Sequence, residues 1–91
     1  VARMARRWEV LEALAVSRGW PDRLVIALEQ CLVGGTDRAA YAAEAGVSPA
    51  TASADLRRLL DAGLVERRGT TRSARYHPTA ALIGQLGVST G

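Results

Sequence analysis

The sequence predicts a mainly α-helical domain with one small β-hairpin. Apolar residues recur at helical spacing in four successive segments before residue 63. The period then changes, because two short strand-like runs flank a five-residue loop that contains glycine, which is typical of a hairpin. The length of 91 residues fits a single domain with a modest core.

The first two predicted helices lie in residues 1–35, which we interpret as a supporting helical pair. The first runs from about Arg3 to Ser17 and ends at Gly19. Its apolar face has intervals of four, three and four residues: Met4, Trp8, Leu11 and Ala15. The second opens at Pro21–Asp22, because proline is tolerated in a first turn and an acid suits the helix dipole. Gly34–Gly35 stops it. Its apolar stripe consists of Leu24, Leu28, Cys31 and Leu32.

The third and fourth helices are predicted to be joined by a very short turn. Thr36 is expected to cap the third helix, with Asp37 in its first turn. Gly46 ends that helix, and Ser48–Pro49 starts the next, with serine as the cap and proline at the first position. The fourth helix runs to about Ala62. The inward side chains of the pair are predicted to be Tyr41, Ala42, Ala45, Ala52, Leu56, Leu59 and Leu60.

The remaining chain predicts the hairpin and a tail. Gly63 caps the fourth helix, and the strands cover residues 64–68 and 74–77, with Pro78 ending the second. Residues 36–78 would thus form the functional core of the domain. Residues 79–91 form a tail in which Thr79 to Leu86 could fold as a short helix.

The short turn between the third and fourth helices makes specific physical demands. Gly46 has no side chain to obstruct a left-handed conformation, and Val47 can plug the angle between the helices. The fourth helix then exposes its N-terminal end. At 100° per residue, its outward face near that end carries Ala50, Thr51, Ser53, Ala54 and Arg57.

This segment resembles the recognition-helix signature of winged helix-turn-helix proteins. The matching residues run from Gly46 to Leu56 and continue with Leu59 and Ala62–Val65. The segment is similar to DeoR- and MarR-like regulators, and is most similar to the C-terminal winged helix of many Fic-family proteins. The resemblance implies a three-helix core plus a wing, preceded by an extra N-terminal helix. It also implies the regulatory domain of a larger Fic-like protein or transcription regulator, and a chain that starts at Val1 without an initiator Met fits such a fragment.

Winged helices commonly bind double-stranded DNA, so the resemblance assigns contacts on the fourth helix and wing. Ser48 and Thr51 would bond to phosphates, Ser53 and Arg57 would approach base edges, and Ala50 or Ala54 would touch a thymine methyl group. Arg57 and Arg58 could instead contact the backbone on either side. The wing residues Gly69 to Ser73 would lie along phosphates or enter the adjacent minor groove, where Arg72 is the best candidate to insert. The full predicted set is Ser48, Ala50, Thr51, Ser53, Ala54, Arg57, Arg58, Arg68, Thr70, Thr71, Arg72, Ser73 and Arg75.

The charge distribution favours the same half of the chain. Residues 1–47 carry six arginines against six acidic residues, whereas residues 48–91 carry six arginines against three. The whole net charge of +3 therefore lies around the predicted helix and hairpin. Many relatives have arginine where this chain has Ser53 and Ala54. The small reading face therefore favours contacts to the DNA backbone over strong base recognition.

An enzyme is not expected. His77–Pro78 lacks the phenylalanine and the glycine- and arginine-rich loop of the Fic catalytic motif, so no nucleotidyl transfer is carried over. His77 is interpreted as a strand-end side chain, Cys31 as a core residue, and Trp8 and Trp20 as core or cover residues. No metal or cofactor motif appears. A lone cysteine and no membrane-spanning or signal segment indicate a cytoplasmic protein.

The alternative is a winged helix that binds protein instead of DNA, since function does not follow from fold. Its partner would be another domain of the parent protein or a second copy in a homodimer. The first two helices or the tail from Thr79 could supply that interface.

Overall fold

The computed structural model describes residues 2–69 and 74–86, with side chains described from Arg7 onward. It confirms a mainly helical chain with one two-stranded antiparallel hairpin. The elements in chain order are α1 (Ala2–Arg18), α2 (Arg23–Leu32), α3 (Arg38–Ala45), α4 (Pro49–Asp61), β1 (Val65–Arg68), β2 (Arg75–Pro78) and α5 (Ala80–Gln85).

The turn between α3 and α4 has the predicted construction. Gly46 adopts φ 69° and ψ 37°, the left-handed region that glycine enters without steric cost. The Ser48 hydroxyl accepts a hydrogen bond from the Thr51 amide at 3.2 Å, and Pro49 opens the helix. Gly63 ends α4 with φ +76°. Between the end of α3 and the start of α4 there are only three residues, 46–48, and the two helices pack directly on each other.

The start of α3 differs from the prediction. Asp37, not Thr36, is the cap, because the Asp37 carboxylate accepts the Ala40 amide at 2.8 Å. Thr36 is instead a buried β-bridge residue that exchanges backbone hydrogen bonds of 3.0 and 2.7 Å with Tyr76. Its hydroxyl donates to the Gln30 side-chain oxygen at 2.8 Å. The threonine therefore joins β2 to α2, which local sequence could not reveal.

The hairpin is short and closes against the end of α4. Its register pairs Val65 with Pro78 and Arg68 with Arg75, so Pro78 belongs to β2 instead of ending it. This position tolerates proline because it is the last residue of a strand at the edge of the sheet. The predicted helix in the tail is confirmed as α5, which Thr79 caps by accepting the Leu82 amide at 3.4 Å.

One buried cluster joins all the helices and the hairpin. Its fully buried side chains include Leu11, Leu24, Leu28, Cys31, Tyr41, Ala52, Leu56, Leu59, Leu64 and Leu82. Burial raises the pKa of the Cys31 thiol to about 12, in keeping with a core role. Leu32 and Leu60, predicted inward, are half-buried at the edge of this cluster.

The tryptophans lie outside the centre of the core. Trp8 is 39% exposed and Val16 on the same helix is 74% exposed, because α1 packs mainly against one neighbour, α2. Core placement of Trp8 was therefore wrong. Trp20 is a half-buried cover residue, with the Arg18 guanidinium 5.4 Å from the centre of its ring. Within residues 2–69 and 74–86, no helix is both long and apolar enough to cross a membrane.

Candidate nucleic-acid interface

A groove of about 670 Å³ lies where the start of α3, the outward face of α4 and the hairpin meet. It contains three arginines, one from each of these elements, and two aspartates. Alanine, leucine and tyrosine side chains complete its lining. The described lining residues are Asp37, Arg38, Ala39, Ser53, Arg57, Leu60, Asp61, Arg67, Ala74 and Tyr76.

The outward face predicted for α4 is present. Ala50, Ser53, Ala54 and Arg57 are exposed, while the inward positions of the same helix are buried or half-buried. Thr51 is half-buried because it closes the N-terminal cap, where its hydroxyl accepts a hydrogen bond from Ser48 at 3.1 Å. Only Ser53 and Arg57 of the predicted α4 contacts line the groove itself.

The predicted arginines of α4 and the hairpin are exposed, but most are paired with acids. Arg57 Nε lies 3.7 Å from Asp61 Oδ1, one helical turn away. Arg75 Nη1 lies 3.3 Å from Asp37 Oδ2.

Arg68 is paired in the same way within its own strand, where its Nε donates to Glu66 at 2.8 Å. Such exposed pairs are worth at most about 1 kcal/mol, so they reduce the attraction for phosphate without abolishing it. Arg58 is exposed and forms no such pair within the described part of the chain. The predicted loop residues Thr70, Thr71, Arg72 and Ser73 lie outside the described residues.

The contact set predicted from the sequence leaves out two arginines of the groove, Arg38 and Arg67. Arg38 opens α3, and its Nη1 lies 3.5 Å from the Ser53 hydroxyl on α4. A positive charge in the first turn of a helix is unfavourable, because it lies beside the positive end of the helix dipole. This placement is a signal in the sequence that Arg38 does not serve to stabilise α3. Arg67 is exposed on β1, opposite Tyr76 in the register. Successive side chains of a strand point to opposite faces of the sheet, so Arg67 and Arg68 could have been assigned to different faces from the sequence.

A buried polar network holds α4 in place behind this groove. Asp55 is 2% exposed, and Arg23 of α2 donates to both of its carboxylate oxygens, at 2.6 and 3.1 Å. The Tyr41 hydroxyl of α3 donates to the same carboxylate at 2.7 Å. One side chain on α4 therefore binds side chains of both neighbouring helices, which fixes the direction in which the outward face points.

The ionisation of this network follows from its contacts. Burial opposes the charge on Asp55, but hydrogen bonds from Arg23 and Tyr41, with the charges of Arg23 and Arg58, outweigh it and lower the pKa of Asp55. Burial, followed by the hydrogen bond to Asp55, raises the pKa of Tyr41. The hydrogen bond to Asp55 raises the pKa of Arg23 against the effect of burial. At neutral pH the network therefore consists of a neutral Tyr41 hydroxyl and an ion pair between Arg23 and Asp55.

Comparisons of the chain with protein-family models, curated proteins and solved structures returned no match. Within the described residues, no group of three or more His, Cys, Asp or Glu side chains has an arrangement that could hold a metal ion.

Proposed function

We propose that the chain is a winged helix-turn-helix module that binds double-stranded DNA. In this proposal α3 and α4 are the helix-turn-helix, α4 is the recognition helix and the β1–β2 hairpin is the wing. The observation that carries it is the groove beside the outward face of α4, to which α3, α4 and β1 each contribute one arginine.

The shape of α4 supports insertion into a major groove. Its 13 residues make a rod about 20 Å long, and a major groove about 12 Å wide admits one helix. The exposed side chains near its start are small, since Ala50, Ser53 and Ala54 project little beyond the backbone. DNA can therefore approach the helix closely at this end, where recognition helices reach base edges.

The chemistry of the same face favours phosphate contacts over base recognition. Alanines offer only apolar contact to a thymine methyl group, and Ser53 is a single short hydroxyl. The groups able to form two hydrogen bonds with one partner are the arginines around the groove. We therefore propose modest sequence preference with strong dependence on salt, in a regulatory domain of the larger Fic-like protein or transcription regulator that the resemblance implies.

Fluorescence anisotropy with a labelled duplex tests this proposal. The chain should bind at low salt, and affinity should fall linearly on a log–log plot against salt concentration. Arg57→Ala should weaken binding, whereas Arg18→Ala, which removes the same charge beside Trp20, should not. The absence of any anisotropy change at low salt would refute DNA binding.

A homodimer is the second candidate function, and exposed apolar residues of α1 favour it. Trp8 and Val16 lie eight residues apart on this helix and are 39% and 74% exposed. Winged helices often bind DNA as dimers, so a second copy is the partner we propose for this face. Sedimentation equilibrium measures the mass of the particle in solution for the wild type and for Val16→Glu. The wild type should dimerise, and the charge added in Val16→Glu should weaken the dimer. A wild type that stays monomeric at high concentration would refute the dimer.

A further inference from the structure

We propose that Arg38 on α3 and Arg67 on β1 are the principal phosphate-binding residues of the groove that α4 borders. This inference rests on the proposed DNA binding and names the residues that carry it. Neither residue belongs to the set that sequence analysis selected. They differ from the arginines of that set in their surroundings, since most of those are already neutralised by an acid.

The distribution of ion pairs is the first observation. Five ion pairs between described side chains each use one arginine: Arg7, Arg23, Arg57, Arg68 and Arg75. Within the described part of the chain, Arg38 and Arg67 have no carboxylate within 4.0 Å. They are also two of the three arginines that line the groove. The uncompensated positive charge of the groove is therefore concentrated at these two positions.

The position of Arg38 is the second observation. Its guanidinium reaches from the first residue of α3 to the Ser53 hydroxyl on the outward face of α4. At 3.5 Å this is a long and weak hydrogen bond to a neutral group. It places the guanidinium over α4 yet leaves most of its five donors free for a phosphate. Ser53 is then a positioning residue for Arg38.

Arg67 provides the second charge of the groove, on the hairpin. It is exposed on β1, and both of its chain neighbours, Glu66 and Arg68, also pair with β2, so the backbone that carries it is held in the sheet. Arg68 on the same strand is held by Glu66, and Arg75 on the paired strand is held by Asp37. At those two arginines a carboxylate already occupies part of the guanidinium and offsets its charge, which weakens phosphate binding. Among the described residues, no carboxylate does so at Arg67.

The test compares single arginine variants of the two classes. Arg38→Ala and Arg67→Ala should each weaken duplex binding roughly tenfold at low salt, as expected for loss of a charge-assisted hydrogen bond. Each should also reduce the slope of log affinity against log salt by about one. Arg68→Ala and Arg75→Ala are matched controls that remove the same charge from the hairpin, and each should change affinity less than about threefold.

Two further measurements separate the possible outcomes. Ser53→Ala should weaken binding by less than Arg38→Ala and have no further effect in the Arg38→Ala background. Far-ultraviolet circular dichroism and thermal melting check that each variant is folded, and Arg38→Gln and Arg67→Gln replace any alanine variant that is not. If the wild type binds DNA but all four arginine variants lose affinity equally, the inference is wrong and DNA binding stands. If the wild type does not bind, both fail.

Discussion

Arg23 on α2 donates two hydrogen bonds to Asp55 on α4, at 2.6 and 3.1 Å, across 32 positions of the chain. The carboxylate is buried while the guanidinium remains about one-third exposed. This ion pair therefore holds α4 in a fixed orientation relative to α2. Because Asp55 lies on the inward face of α4, its contact with Arg23 also sets the direction in which the outward face points.

Removal of the Asp55 carboxylate should destabilise the fold. In Asp55→Ala the buried Tyr41 hydroxyl keeps only a long contact of 3.4 Å to the Arg23 carbonyl. We expect the free energy of unfolding to fall by about 2–3 kcal/mol, as for a lost hydrogen bond to a charged group. Urea denaturation measures it. Asp61→Ala, on the same helix but exposed, should cost less than about 0.5 kcal/mol. Equal effects of the two substitutions would contradict the role of Asp55.

Acid should destabilise the protein through the same residue. The contacts of Asp55 lower its pKa in the fold below that of the unfolded chain, which is about 3.9 for aspartate. The resulting stabilisation is fully present above the unfolded pKa and is lost as pH falls through the folded pKa. Urea unfolding between about pH 5 and pH 2 should therefore show a flatter pH dependence for Asp55→Asn than for the wild type. Parallel profiles of the two proteins would overturn this assignment.

Asp61 should limit DNA affinity by pairing with Arg57. Both residues line the groove, and the pair is exposed, with Nε and Oδ1 3.7 Å apart. Asp61→Asn removes a charge that repels phosphate and frees Arg57, so we expect roughly two- to fivefold tighter duplex binding at low salt. The gain should shrink at high salt.

The matched control for Asp61→Asn is Glu44→Gln, which removes an exposed acid of α3 that does not line the groove. Glu44→Gln should leave affinity nearly unchanged in the same anisotropy titration. An identical gain in both variants would show that net charge alone, and not the groove, controls binding.

Gly35 should be required for the contact between the α2–α3 connection and β2. It adopts φ +93°, and a Cβ there would lie 2.8 Å from His77 Cε1 and 3.1 Å from the Tyr76 carbonyl oxygen. Gly34 has φ +129° but open space around it. Both alanine variants therefore carry backbone strain of about 1–3 kcal/mol, and only Gly35→Ala adds a clash.

Thermal melting distinguishes these two glycine variants. Gly35→Ala should have a melting temperature several degrees below that of Gly34→Ala, since about 1 kcal/mol shifts a domain of this size by about 4–8 °C. Equal melting temperatures would mean that β2 yields to the added methyl group.

The sequence was sufficient where local chemistry decides structure. Gly46, Ser48 and Pro49 specify the turn and the start of α4 through conformations and caps that involve only neighbouring residues. The apolar spacing of α4 also indicated its buried and outward faces. Strand period and the loop between residues 68 and 75 placed the hairpin within one residue at each end.

The features that sequence reasoning missed all depend on distant partners. Thr36 looks like a helix cap until Tyr76, 40 positions later, is placed beside it. The helical spacing places Asp55 on the inward side of α4, but its partners Arg23 and Tyr41 lie 32 and 14 positions away in the chain. For the groove, the sequence gives the number of arginines but not which of them an aspartate neutralises. The ion pairs distinguish Arg38 and Arg67 from the other arginines as unneutralised phosphate-binding candidates in the groove.

The bridge between Thr36 and Tyr76 has a consequence for how the domain would meet a ligand. Through it β2 is bonded to the connection before α3, and the Thr36 hydroxyl continues the link to Gln30 on α2. The hairpin and α4 are thus both anchored to α2, the second through Arg23. These contacts preorganise β2 and α4 relative to α2, so ordering the two elements on binding should cost little conformational entropy.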